Sequence, residues 1–139
     1  MHASAVTFRW TEVYRVNIAA MDEQHKKLFQ TVNELDHALR GGQGNAAVEP
    51  ILGRLIEYAT VHFESEESLM KEHDFPGLST HRTQHLMFRQ TIQKFLEQHQ
   101  AGSVGVSVSL LMFLQTWLKQ HVLKTDKLYS AYLNARGVK

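Results

Sequence analysis

Glycine and proline divide this chain more sharply than any other feature. Proline occurs only twice, and glycine gathers in "RGGQGN" at 40–45, "FPG" at 75–77 and "AGSVG" at 101–105. Between those breakers lie long segments whose apolar residues recur at helical spacing, and none alternates as a strand would. The expectation is an all-α chain. Short connections between long helices favour antiparallel neighbours, hence an up-down-up-down four-helix bundle.

The first helix is expected to open at "MDEQH", with Asp22 as its cap and Glu23 in its first turn. Its stripe runs His25, Leu28, Phe29, Val32, Leu35, Leu39, and Gly41 and Gly42 end it. The second, about 46–74, carries Leu52, Leu55, Ala59, His62, Glu66, Leu69 and Met70, with Pro50 tolerated near the first turn. The third, about 79–101, shows His81, His85, Phe88, Ile92, Phe95 and His99. The fourth, about 106–122, shows Leu110, Leu111, Leu114, Trp117, Leu118 and His121, and a shorter helix follows over about 125–135. One unit over 1–139 is expected, made of an arm (1–21), the bundle (22–122) and a C-terminal helix and tail (123–139). Trp10 and Tyr14 of the arm are expected to pack along the outside of the bundle.

Charge and composition narrow the function. Fifteen basic against fourteen acidic residues give no electrostatic case for nucleic acid or an anionic membrane. No apolar run approaches a membrane span, and "MHASAVTFRW" lacks the features of a secretion signal. The absence of cysteine removes thiolate ligands and a catalytic thiol, and fits a cytoplasmic location. Nine histidines in 139 residues are far above ordinary usage, and they do not form a tag-like run.

Several of these histidines fall on apolar stripes. His62 and Glu66, like His81 and His85, are spaced i, i+4 and project from one face of their helices. A buried carboxylate such as Glu66 needs a cation or a shifted pKa. In an up-down bundle the starts of odd helices meet the ends of even ones. His25, His62, Glu66, His81, His85 and His121 therefore converge at one end. Asp126 lies five residues after His121, on the wrong side of a continuing α-helix. It joins the set if the chain breaks and turns just after His121.

A single inward histidine is more often a hydrogen-bonded core residue than a ligand, and HxxxE or HxxxH alone is commonly a solvated face. Seven such groups at one end of one bundle point to metal. Four other histidines fail the same geometric filter. His2 sits in the terminus, and His37 is rotated about 120° from His25. His99 lies about 20 Å along the axis from His85, at the opposite end. His73 falls about 10 Å beyond Glu66, at the bundle end.

Seven ligands exceed the four of a tetrahedral zinc and suit two metals with bridging carboxylates. Dominant imidazole argues against calcium and magnesium but leaves iron, zinc, copper and nickel open. Ferritin-like bundles use two Glu-x-x-His motifs in a carboxylate-rich shell, and that pattern is absent.

In order along the chain, "DEQHKKLF", "HFESEE", "HRTQH" and "HVLKTDKLY" resemble the signature segments of the hemerythrins, specifically the single-domain bacteriohemerythrins. The resemblance runs from Trp10 to about Leu133. It implies two non-haem iron ions with an oxo or hydroxo bridge, and reversible binding of dioxygen. His81, His85 and His121 would then hold one iron. His25 and His62 would hold the other and leave it an open position. Glu66 and Asp126 would bridge, and Leu28, Phe63, Leu118 and Val122 would form the dioxygen pocket. Storage, delivery or scavenging of dioxygen by a monomer follows, with an oxygen-consuming protein as recipient and no enzymatic turnover. Competing readings are a di-iron enzyme acting on peroxide or nitric oxide, and a sensor module that needs a separate partner.

Overall fold

The computed structural model describes residues 9–139, and His2 lies outside them. Five α-helices follow a single 3-10 turn at Glu12–Tyr14. They are α1 (Ala19–Arg40), α2 (Gly44–Glu72), α3 (Leu78–Gln100), α4 (Val106–Trp117) and α5 (Asp126–Asn134). No strand occurs among the described residues. Helix α2 packs on α1 and α3, and α4 closes the ring against α1, α2 and α3. The bundle is the expected one.

Three local details differ from expectation. Helix α1 starts one turn early, after Ile18, and Asp22 is a buried residue of the first turn rather than its cap. Its carboxylate instead accepts the backbone N–H of Val16 at 2.8 Å, tying the arm to the helix. Pro50 is the seventh residue of α2 rather than a first-turn residue. The carbonyl it leaves without an i→i+4 donor belongs to Ala46, and both residues are exposed, so water can serve that oxygen. The largest difference follows α4. No break occurs after His121: Leu118–Thr125 is a π-helix that continues directly into α5. Gly42, at φ 75°, closes α1 in the left-handed conformation that glycine adopts without strain.

Two apolar clusters fill the interior. The larger takes in Leu28, Val32, Leu35, Leu52, Leu55, Phe63, Phe88, Leu110, Leu114 and Leu118 along the bundle's length. The smaller gathers Val16 and Ile18 of the arm with Met21, Met70, Tyr129 and Leu133. Trp10 and Tyr14 lie edge-on to Phe29 at 5.5 and 4.6 Å, flanking the larger cluster as expected. No helix among the described residues is long and apolar enough to cross a membrane.

Candidate metal centre

The polar groups sit between the two clusters. Met21 lies one turn before His25 and Leu28 one turn after it. Met70 follows Glu66 by one turn and Ala59 precedes His62 by nearly one. Each polar residue therefore has apolar neighbours on both sides along its own helix. His25, His62, Glu66, His81, His85, His121 and Asp126 are all at most 3% exposed.

The π-helix accounts for Asp126. An i→i+5 turn places residues five apart over one another, where an α-turn would separate them. The backbone N–H of Asp126 bonds to the His121 carbonyl, and the Thr125 hydroxyl donates to the Gln120 carbonyl at 3.1 Å, both across five residues. The two ligand candidates thus share a face without any bend. Asp126 Oδ1 lies 3.0 Å from His121 Nε2.

The carboxylates divide their oxygens between two sets of histidines. Asp126 Oδ1 is 3.1 Å from His81 Nε2, while Oδ2 is 3.1 Å from His25 Nε2. Glu66 Oε1 is 3.5 Å from His81 Nε2 and 3.2 Å from His85 Nε2. Glu66 Oε2 is 3.3 Å from His25 Nε2 and 3.2 Å from His62 Nε2. Donor atoms of Glu66, His81, His85 and His121 lie within 4.8 Å of one another, as do those of His25, His62, Glu66 and Asp126. One side therefore offers three imidazoles and an oxygen from each carboxylate, the other two imidazoles and an oxygen from each.

The donor atoms fit metal better than they fit each other. The Nε2 atoms of His81, His85 and His121, with Glu66 Oε1 and both Asp126 oxygens, are buried without an aligned hydrogen bond. They are close enough to pair but wrongly directed to do so. The outer nitrogens of three of the five imidazoles, by contrast, are engaged, while that of His25 has no protein partner. Nδ1 of His85 meets Glu67 Oε2 and Nδ1 of His121 meets Gln84 Oε1, each at 2.8 Å, and Nδ1 of His62 meets Gln24 Oε1. With an acceptor oxygen on that side, each Nδ1 carries the hydrogen and donates it. The Nε2 lone pair is then turned to the centre, as a metal requires.

Electrostatics agree. Burial alone would lower His25 and His81, but contacts with Asp126 and Glu66 outweigh it and raise them to about 10 and about 9. Burial prevails at His62, which is lowered despite Glu66. Burial would raise Glu66, yet His62, His25 and His81 hold it well below the usual carboxylate range. Asp126 is likewise pulled down, by His121 and His25 against burial and the neighbouring Glu66. Without metal the two carboxylates are thus balanced by protons on the imidazoles.

Leu28, Phe63, Leu118 and Val122 are all at most 1% exposed and belong to the larger cluster. Phe63 stacks on the His85 ring at 3.7 Å, and Trp117 stacks on His121 at 4.0 Å. His37 is exposed, and His99 lies at the far end, 4.0 Å from Glu49. His73 follows the end of α2, and its backbone carbonyl accepts the Tyr132 hydroxyl at 2.8 Å.

Sequence reasoning did not single out Gln24, Glu67, Gln84 or Tyr129. The Tyr129 hydroxyl donates to Glu66 Oε2 at 2.6 Å, fully buried. Its signal was its place three residues after Asp126, on the same face. The two glutamines directly precede His25 and His85 but serve histidines of other helices, so no spacing within one helix reveals them.

Fold and donor set together define a cation-binding four-helix bundle. A family model described as "Hemerythrin HHE cation binding domain" matches residues 16–133. A bacteriohemerythrin of Methylococcus capsulatus is 31% identical, with 91% of this chain and 96% of that protein covered. One from Clostridium acetobutylicum is 27% identical over 88% of this chain and 98% of its own length. The solved structure of a wild-type hemerythrin superposes with a TM-score of 0.79 at 30% identity, covering 90% of this chain and 96% of its own. The chain belongs to the hemerythrin family.

Proposed function

We propose that this chain, as one hemerythrin-like unit, binds dioxygen reversibly at two iron ions. His81, His85 and His121 would hold one iron and His25 and His62 the other, with an oxygen of Glu66 and of Asp126 available to each. One observation carries this reading: each carboxylate presents one oxygen to each histidine set, and one set has an imidazole fewer. The side with fewer donors is where a small ligand enters.

Once bound, the iron pair supplies the electrons that dioxygen binding draws on. The protein's own contribution is placement and dryness. Gln24, Glu67 and Gln84 fix three imidazoles in the tautomer that ligates. Tyr129 holds Glu66 by a short hydrogen bond from the far side. Leu28, Phe63, Leu118 and Val122, all buried, would line the pocket and exclude water. None of these four carries a titratable group, which suits holding a ligand rather than turning it over. An oxygen-consuming protein is the recipient this implies.

Metal analysis and a visible spectrum test the reading. Two irons per chain are expected, with a band that appears in air and disappears on deoxygenation without added reductant. A single metal, or a band that resets only with reductant, would overturn it. So would steady-state turnover of peroxide or nitric oxide in place of a stable adduct.

A further inference from the structure

Besides imidazole nitrogens, of which His25 Nδ1 is one, two buried donors in this region have no acceptor among the protein's own atoms, the Tyr58 hydroxyl and the Trp117 indole N–H. They occupy different sides of the centre. Trp117 stacks on His121, in the set with three imidazoles. Tyr58 stacks on His62, in the set with two, with ring centroids 4.9 Å apart and planes inclined by 21°. Its edge also meets Phe63 at 6.2 Å and 72°.

Position along the helices puts Tyr58 at the depth of the pocket. It precedes His62 by one turn of α2, on the side away from the bundle end. Leu28 stands nearly one turn from His25 in the same direction, and Leu118 nearly one turn from His121. The ring borders a groove between α1 and α2 also lined by Gln24, Lys27 and His62. The hydroxyl is enclosed. A phenylalanine would fill that space without a polar atom to satisfy. A buried O–H without an acceptor is costly, and the cost is removed when a ligand supplies the acceptor. The buried Tyr129 shows the usual resolution, since its hydroxyl bonds to Glu66.

We infer that the Tyr58 hydroxyl is the protein's hydrogen-bond donor to the small ligand held on the two-histidine side, and so a residue that determines which ligands stay. It favours ligands with a terminal acceptor atom, such as dioxygen or azide. This rests on the dioxygen-binding reading above.

The test compares parent, Tyr58→Phe and a control, Tyr132→Phe, whose hydroxyl bonds instead to the backbone carbonyls of His73 and Asp74. Dioxygen release is followed by stopped flow, and azide binding to the air-oxidised protein by its infrared stretch. Loss of one neutral hydrogen bond should speed release in Tyr58→Phe by roughly three- to tenfold. It should also shift the azide band, while iron content and the control stay at parent values. A purely structural role would leave the band in place. In the parent, the azide band should move on transfer to deuterated water, a measurement that holds even if the variant fails to load iron. An unmoved band there, or a loaded Tyr58→Phe with parental release and band, overturns the assignment and leaves the dioxygen reading standing. A parent without an iron pair or dioxygen uptake overturns both.

Discussion

Removing the Tyr129 hydroxyl should weaken the metal-free protein far more than the loaded one. Tyr129 is fully buried, and its 2.6 Å bond runs to a carboxylate oxygen enclosed with it. Tyr129→Phe keeps the ring in the smaller apolar cluster and its edge contact with His81 at 5.3 Å, so no large cavity opens. What is lost is one charge-assisted hydrogen bond, and the group left behind is buried. Bonds of that kind contribute about 1.5–3 kcal/mol. For a chain of this size each kcal/mol moves the midpoint by about 3–4 °C, so the metal-free protein should melt about 5–12 °C lower. With metal bound, Glu66 is neutralised by ligation and the drop should shrink. Thermal unfolding by circular dichroism, with and without chelator, measures both. Tyr132→Phe provides the scale, because its hydroxyl bonds only to neutral carbonyls near the surface. If Tyr129→Phe loses no more than Tyr132→Phe, or loses equally in both metal states, the role given to that hydroxyl is wrong.

Glu66→Ala should cost at least one iron per chain and lower thermal stability, whereas His37→Ala, on an exposed face, should change neither; equal loss by metal analysis would sink the distinction. Leu118→Ala removes a fully buried wall residue. It should destabilise by about 2–5 kcal/mol while retaining dioxygen uptake and accelerating autoxidation, and an unchanged autoxidation rate would refute its place at the pocket. Metal uptake should release protons, because His25 and His81, raised to about 10 and 9, are protonated at pH 8 in the metal-free protein and must lose those protons to ligate. The sign follows: raising pH towards 9 relieves the competition and tightens binding, and lowering it weakens binding. Calorimetry in buffers of different ionisation heat should report about two protons per chain from these two groups, and a heat independent of buffer would exclude the mechanism.

The stripe on each helix and the meeting of helix ends were legible because both follow from a period of 3.6 and three glycine-bearing turns. That logic brought His25, His62, Glu66, His81, His85 and His121 to one place. It failed between His121 and Asp126 because it allowed only an α-turn or a break. No glycine or proline lies between Val106 and Asn134, so the break had no local support. The residues flanking the wide turn keep right-handed helical angles, with Trp117 at φ −58° and Asp126 at φ −64°. Nothing local announces it. The capping role expected of Asp22 failed for a related reason: its partner is the arm's Val16, whose approach depends on tertiary packing. The acceptors on the outer imidazole nitrogens were invisible for the same cause.

The smaller apolar cluster makes the arm and α5 part of how long the site can keep what it holds. Val16, Ile18 and Met21 come from the arm and the opening of α1, Tyr129 and Leu133 from α5, and Asn134 ties to the Asn17 carbonyl at 3.1 Å. Short peripheral segments open more readily than long packed helices, at a small fraction of the cost of global unfolding. Release of these two segments alone would admit water with no movement of the four long helices. The lifetime of the ligand proposed to bind there would then depend on how often these two segments release as well as on the pocket. Amide exchange over residues 16–21 and 126–133 should track autoxidation when either segment is loosened, and exchange that varies with no change in autoxidation would show the seal to be elsewhere.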